Sequence, residues 1–245
     1  MRRLIALLAL GCAAGAASAQ DYAREERWAA EVVPNLVVGD AVRLKLRSGR
    51  EFLGLYTEAK GAATAVLLVH GLGVHPDHGV IGVLRVALAD LGFTTLSIQM
   101  PVLASDAPGA DYYPALFPEA GERIAAGGRW LADKGYRRIV LLSHSMGSWM
   151  SEVYLERASD APFAAWVCMG RAGAFGGLPH ARVPILDVYG ENDLPAVLRA
   201  RAQRRSALQA LPGSRQIVIA GADHFYTGRE PALADEVRAF IAGLP

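Results

Sequence analysis

Six short apolar runs, at 65–69, 93–98, 139–142, 163–169, 185–189 and 216–219, constrain this chain more than any other feature. They are almost continuously apolar, so as strands they need cover on both faces. Stretches of helical character separate them at 80–91, 119–134, 146–157 and 196–210, and another closes the chain at 229–244. Strand and helix alternating in this way build βαβ units and a mostly parallel sheet. Ahead of them, alternating segments at 41–46 and 51–56 flank Arg47-Ser48-Gly49-Arg50, which predicts an antiparallel hairpin. The charged stretch 21–30 reads as helical or loosely held. The predicted fold class is α/β: a mostly parallel sheet that opens on a hairpin, with helices on both faces.

The chain begins with Arg2 and Arg3, an apolar run over 4–14 and the small residues Ala17-Ser18-Ala19. A charged start, a short apolar run and a small-x-small site predict a secretory signal peptide over 1–19. The alternative is a membrane anchor, but the run falls short of the ~20 apolar residues that span a bilayer. Lipid attachment at Cys12 ranks behind cleavage, because Ala9 and Leu10 fit that pattern poorly. Residues 20–245 then form one domain, periplasmic or secreted, with no transmembrane segment after cleavage. The formal charge is +1 and the basic residues are scattered, so nothing points to a nucleic-acid surface. Arg199, Arg201, Arg204 and Arg205 do cluster, and read as the exposed face of a helix. Of the two cysteines, Cys12 lies in the leader. Cys168 follows an apolar run and is expected to be a buried small hydrophobe, with no partner for an internal disulfide.

The apolar run at 139–142 ends in Ser143-His144-Ser145-Met146-Gly147. A serine between small residues, directly after a buried strand and before a helix, predicts a nucleophile elbow: a tight turn that pushes the hydroxyl clear of the backbone. The usual pattern is Gly-x-Ser-x-Gly, and Ser143 stands in the first glycine's place. A serine hydroxyl is a weak nucleophile until a base and a group orienting that base lie beside it. Two later loops supply candidates. Gly190-Glu191-Asn192-Asp193 follows the run at 185–189, and Gly221-Ala222-Asp223-His224 follows the run at 216–219. Ser145, Asp193 and His224 thus come in the order nucleophile, acid, base, each just past a strand's carboxyl end, where open α/β sheets gather their catalytic groups. Asp193 could also serve as a turn or N-cap residue ahead of Leu194-Pro195. Asp223 remains an alternative acid, with Asp187 and Glu191 behind it. For an oxyanion hole, Met146 follows the nucleophile, and His70-Gly71-Leu72-Gly73 follows the run at 65–69. Leu72 is the expected second N–H donor, with Gly71 or Gly73 as alternatives.

His70-Gly71, the Ser143–Gly147 elbow, the 190–193 acid loop and Asp223-His224 together resemble the α/β-hydrolase superfamily, from about residue 65 onward. The segments His75-Pro76-Asp77, Ser97-Ile98-Gln99-Met100-Pro101 and Phe117-Pro118-Glu119-Ala120 are also similar to a bacterial hydrolase-like family without an assigned function. The resemblance implies an α/β-hydrolase fold and a serine hydrolase acting on a small-molecule carboxylic ester, thioester or amide, ester first, with no cofactor. The alternative is a non-catalytic protein of the same fold that binds a partner or helps assemble the envelope. Many relatives insert a helical lid between the fourth and fifth of these runs. Only the Gly-rich connection 171–180 lies there, which predicts an open site.

Three further features bear on function. His70, His75, Asp77 and His78 suggest a zinc site, but their spacing matches no familiar pattern, and His70 is better placed in the oxyanion loop. The irregular stretch 101–118 offers Tyr112, Tyr113, Leu116 and Phe117 as one wall of a substrate pocket that would also include His70 and Gly71. The alternative is that these aromatics only anchor their loop. Trp149 and Met150, spaced with Val153 on a helix, read as core.

Overall fold

The computed structural model describes residues 20–107, 110–180 and 182–244, and leaves the side chains of residues 110–112 outside that description. The expected leader, with Cys12, and the Tyr112 side chain therefore lie outside the described residues. Asp21 opens the first helix, α1 (Tyr22–Val32), by accepting the Arg24 N–H at 2.9 Å, as an N-cap carboxylate does. A short 3-10 turn, Val33–Asn35, leads into the hairpin of β1 (Asp40–Lys45) and β2 (Glu51–Thr57). The rest alternates: β3 (Thr64–Val69), α2 (Gly79–Asp90), β4 (Thr94–Ile98), a 3-10 segment (Ala110–Leu116), α3 (Phe117–Asp133), β5 (Arg138–His144) and α4 (Met146–Arg157). Next come β6 (Ala165–Met169), β7 (Ile185–Gly190), α5 (Pro195–Arg199), α6 (Arg201–Leu208), β8 (Arg215–Ile219) and α7 (Glu230–Ala242).

All eight strands form one sheet in the order β1-β2-β4-β3-β5-β6-β7-β8. β1 runs antiparallel to β2, and β2 antiparallel to β4; every later pairing is parallel. Because successive strand side chains point to opposite faces, each central strand feeds two cores. Leu67, Val69, Leu141 and Trp166 pack with Ile124 and Leu131 of α3 and Met150 of α4. Val66, Leu68, Val140 and Leu142 pack with Leu84 and Leu88 of α2 and Val237 and Phe240 of α7. Every residue of β3 is buried, as the apolar run 65–69 that makes up most of it requires. This is the α/β-hydrolase fold in its lidless form: among the described residues no helix stands between β6 and β7. Among those same residues, no helix is long and apolar enough to cross a membrane.

Two expectations need correction. The helix expected over 196–210 is two helices that meet at Ala200, which is C-cap of α5 and N-cap of α6. Arg204 is not on an exposed face: it is fully buried, with Nε 2.9 and 3.1 Å from the two oxygens of Asp187 and Nη1 donating to the carbonyls of Arg171, Gly173 and Val197. An acid inside an otherwise apolar strand needs a counter-charge, and α6 provides it. Arg123 plays a similar part on the same face, toward the other edge of the sheet. It is fully buried, with Nη1 2.9 Å from Glu25 of α1 and Nη2 2.6 Å from Glu119.

Candidate active site

Parallel strands put their carboxyl ends along one edge of the sheet, and β3, β5, β7 and β8 each release a loop there. Ser145 follows β5 with φ 57° and ψ −122°, a conformation that L side chains rarely adopt and that stores on the order of 1–3 kcal/mol. Its surroundings over-determine that turn. The Ser145 N–H donates to the Met169 carbonyl at 2.9 Å, and its carbonyl accepts from the Ser148 N–H at 3.0 Å. The Ser148 hydroxyl reaches the carbonyls of Ser143 and Met169 at 2.8 and 3.0 Å. Gly147 is needed for close approach, because a Cβ there would lie 2.3 Å from the His70 carbonyl oxygen. Ser143 needs no glycine freedom. Its hydroxyl is buried and accepts the Trp166 indole N–H at 2.7 Å, so the departure from the usual elbow satisfies a core donor.

Asp193 and His224 sit on loops stitched to one another. The Glu191 and Asn192 N–H groups donate to the carbonyls of Ile219 and Ala222 at 3.0 and 2.8 Å, and the Glu191 carboxylate accepts the Gly221 N–H at 2.8 Å. A Cβ on Gly190 would lie 2.5 Å from the Ala222 and Asp223 carbonyl oxygens, so only glycine lets the loops close this far. The structure brings the three residues together in one chain of contacts: Ser145 Oγ is 3.0 Å from His224 Nε2, and His224 Nδ1 is 2.6 Å from Asp193 Oδ1. With Nδ1–H donated to the carboxylate, Nε2 is the ring atom left to accept the serine proton. Burial would raise the Asp193 pKa. Hydrogen bonds from His224 and from the Gly190 and Leu194 N–H groups outweigh it and hold the carboxyl below its usual range.

The other acids are engaged elsewhere. Asp187 pairs with Arg204, Glu191 closes the loop junction, and the Asp223 carboxylate accepts the N–H groups of Phe225 and Thr227 at 2.9 and 3.0 Å. That turn leads into Tyr226, which is fully buried at φ 58° with its hydroxyl donating to the Val188 carbonyl at 3.1 Å.

Opposite Ser145 lies the loop after β3. A Cβ on Gly71 would come 3.1 Å from the Ser145 Cβ, so this backbone is pressed against the serine. His70 Nε2 accepts the Met100 N–H at 2.9 Å, which leaves the proton on Nδ1 to donate to the Gly71 carbonyl at 2.9 Å. Burial lowers the His70 pKa to about 3 and keeps the ring neutral. The Gly71 carbonyl and the Leu72 N–H belong to one planar peptide unit and point in opposite directions. Pinning the carbonyl therefore fixes the direction of the Leu72 N–H. Arg24 of α1 holds the other side of Leu72, with Nη2 donating to the Gly73 carbonyl at 3.0 Å. Met146 is the first residue of α4, so its N–H is one of the donors a helix start leaves without an intrahelical partner.

A cleft of about 290 Å³ opens between these loops, lined by His70, Gly71, Leu72, His144, Ser145 and His224, with the start of α2 and Phe225 as walls. Tyr113 and Phe117 are not brought to it, which corrects the expected pocket wall. Tyr113 lines a separate depression on the far side of Leu72, and Phe117 packs edge-on against Trp149. The 3-10 segment turns Tyr113 inward, and Phe117 is buried at the first turn of α3, so both rings anchor their loop. The wall is instead Gly79–Ile81 of α2, hidden in sequence because it reads as ordinary helix. His144 was also missed. It is buried, its Nε2–H donates to the His224 carbonyl at 2.9 Å, and its ring lies 4.9 Å from the His224 ring. Burial, then the neighbouring His224, lowers its pKa to about 4. The zinc set does not converge: Asp77 binds Arg85 at 2.7 Å and His70 faces Met100, while His75 and His78 touch only edge to face. No group of three or more metal-competent side chains occurs among the described residues.

Residues 1–121 match a family described as "Protein of unknown function (DUF3530)". No curated protein matches the chain. Among solved structures, it is similar to a lidless α/β serine hydrolase from Xanthomonas campestris (15% identity, TM-score 0.67, covering 84% of this chain and 95% of that one). A dienelactone hydrolase from Anabaena variabilis superposes with TM-score 0.67 at 22% identity, over 83% of this chain and 96% of its own. Est1E from Butyrivibrio proteoclasticus, solved with ferulic acid bound, does so with TM-score 0.63 at 14% identity, over 83% and 99%. At these identities the likeness is one of fold.

Proposed function

We propose that this chain, an α/β-hydrolase by fold, is an exported serine hydrolase that cleaves a carboxylic ester, with Ser145 as nucleophile, His224 as base and then acid, and Asp193 orienting His224. The observation that carries this is the continuous contact from Ser145 Oγ through His224 to Asp193, at 3.0 and 2.6 Å. Ser145 Oγ attacks the ester carbonyl carbon while its proton passes to His224 Nε2. The carbonyl oxygen becomes an oxyanion, held by the Met146 and Leu72 N–H groups. The tetrahedral intermediate expels the alcohol, which takes the proton from His224, and leaves an acyl-serine. Water then attacks, giving its proton to His224; collapse releases the acid and returns the proton to Ser145. Asp193, kept ionised by its three donors, stabilises the imidazolium at each turn.

Export rests on the sequence over 1–19, and a shorter chain in the periplasmic or secreted fraction is its check. The catalytic assignment is tested by a fluorophosphonate probe on the folded protein beside Ser145→Ala. Labelling of the unsubstituted chain alone is expected. Equal labelling of both, or of neither, would sink the assignment.

A further inference from the structure

Resting on that hydrolase assignment, we propose that the cleft beside Ser145 takes the uncharged, apolar acyl group of a medium-length ester and turns away acyl groups that end in a charge. The walls are Leu72, Val74, Val80, Ile81, Leu194 and Phe225. Among the described residues, no lysine, arginine, aspartate or glutamate lines it. Its two fully buried histidines do not supply the missing charge, because burial keeps His70 and His144 neutral; His224 is bonded to Ser145 and Asp193, and His78 lies exposed at the mouth rather than within the cleft. A carboxylate drawn in would leave water and gain no counter-ion.

Size and rim agree with this. The volume of about 290 Å³ is roughly twice the ~150 Å³ apolar cavity that accepts one benzene ring, room for a chain of about six to eight carbons or a substituted phenyl ring. Of the eight large hydrophobic side chains exposed among the described residues, three converge at this mouth: Leu72, Leu194 and Phe225, at 41, 46 and 59% exposure. Scattered apolar residues on a surface need no explanation, but three around one opening with no lid form a path for an apolar chain.

Methyl hexanoate and monomethyl adipate have the same length and differ only in a terminal methyl or carboxylate, so they are the test pair. For the unsubstituted protein at pH 8, kcat/KM for methyl hexanoate is expected to exceed that for the adipate ester on the order of a hundredfold. From acetate to hexanoate, methyl esters should gain roughly fourfold per methylene, the ratio equivalent to ~0.8 kcal/mol. Leu194→Lys is expected to cut the hexanoate-to-adipate ratio at least tenfold. Val37→Lys, at a site 93% exposed and outside the cleft, should leave that ratio as it is. Binding of the same pair to Ser145→Ala, followed by ligand-observed NMR, separates the two assignments. Turnover without discrimination overturns the cleft assignment and keeps the hydrolase. No turnover, with selective binding of methyl hexanoate, overturns the hydrolase and keeps the cleft. Neither turnover nor binding overturns both.

Discussion

Ser143 shows how a single side chain can be misjudged from a motif. A glycine belongs at that place in the usual elbow because the turn is crowded, yet here the hydroxyl is the acceptor for a buried indole N–H. Ser143→Gly would restore the usual motif and leave the Trp166 donor unpaired. We expect it to lower stability by about 1–3 kcal/mol, read from the urea midpoint, while fluorophosphonate labelling of the folded protein persists. His144 is the complementary case. As a residue between two serines it carries no signal, since its hydrogen bond goes to a carbonyl 80 positions later. Ser145, Asp193 and His224 could be picked out because each follows an apolar strand, and strand ends can be read locally. The residues that hold them in place touch partners far along the chain, and no local pattern records that.

Among the elements, α1 carries more than its charged sequence suggests. It sends Arg24 to the Leu103 and Gly73 carbonyls and Glu25 to Arg123, so it braces the loop after β3 and α3 together. Glu25 is buried, and that burial, against the pull of Arg123, raises its pKa from 4.5 to about 7. A carboxyl whose folded pKa is raised binds its proton more tightly when folded. Its contribution is therefore fully present below the unfolded value and lost as pH rises toward the folded one. Between about pH 4.5 and 7 the unsubstituted protein should lose stability on the order of 1–3 kcal/mol through this group. Glu25→Gln should flatten that slope in urea denaturations at pH 5 and pH 7. The parallel strands and the hairpin could be read from apolar runs and alternation. The break at Ala200 and the inward turn of Arg204 could not, because they answer to Asp187 on another strand. An acid in the middle of an apolar run was the one available sign that a cation must be buried nearby.

At the scale of the whole molecule, charge is buried toward both edges of one face of the sheet, as Arg204 with Asp187 beside β7 and as Arg123 with Glu25 and Glu119 beside β2 and β4. Removing one partner of such a pair strands the other away from water. Arg204→Met is expected to destabilise by ~3–5 kcal/mol, and adding Asp187→Leu should recover much of that, as a double-mutant cycle in urea would measure. The stitched junction between β7 and β8 has its own consequence. Asp193 and His224 ride on the last two strands of the sheet, while Ser145 stands on a central one. Motion of that outer pair moves acid and base as one body and leaves their mutual contact whole, while the distance to the serine changes. The weakest link of the relay is thus the step across the sheet. In the proposed hydrolase, any loosening of the sheet between β5 and β7 therefore lengthens the serine-to-histidine contact before it breaks the histidine-to-aspartate one.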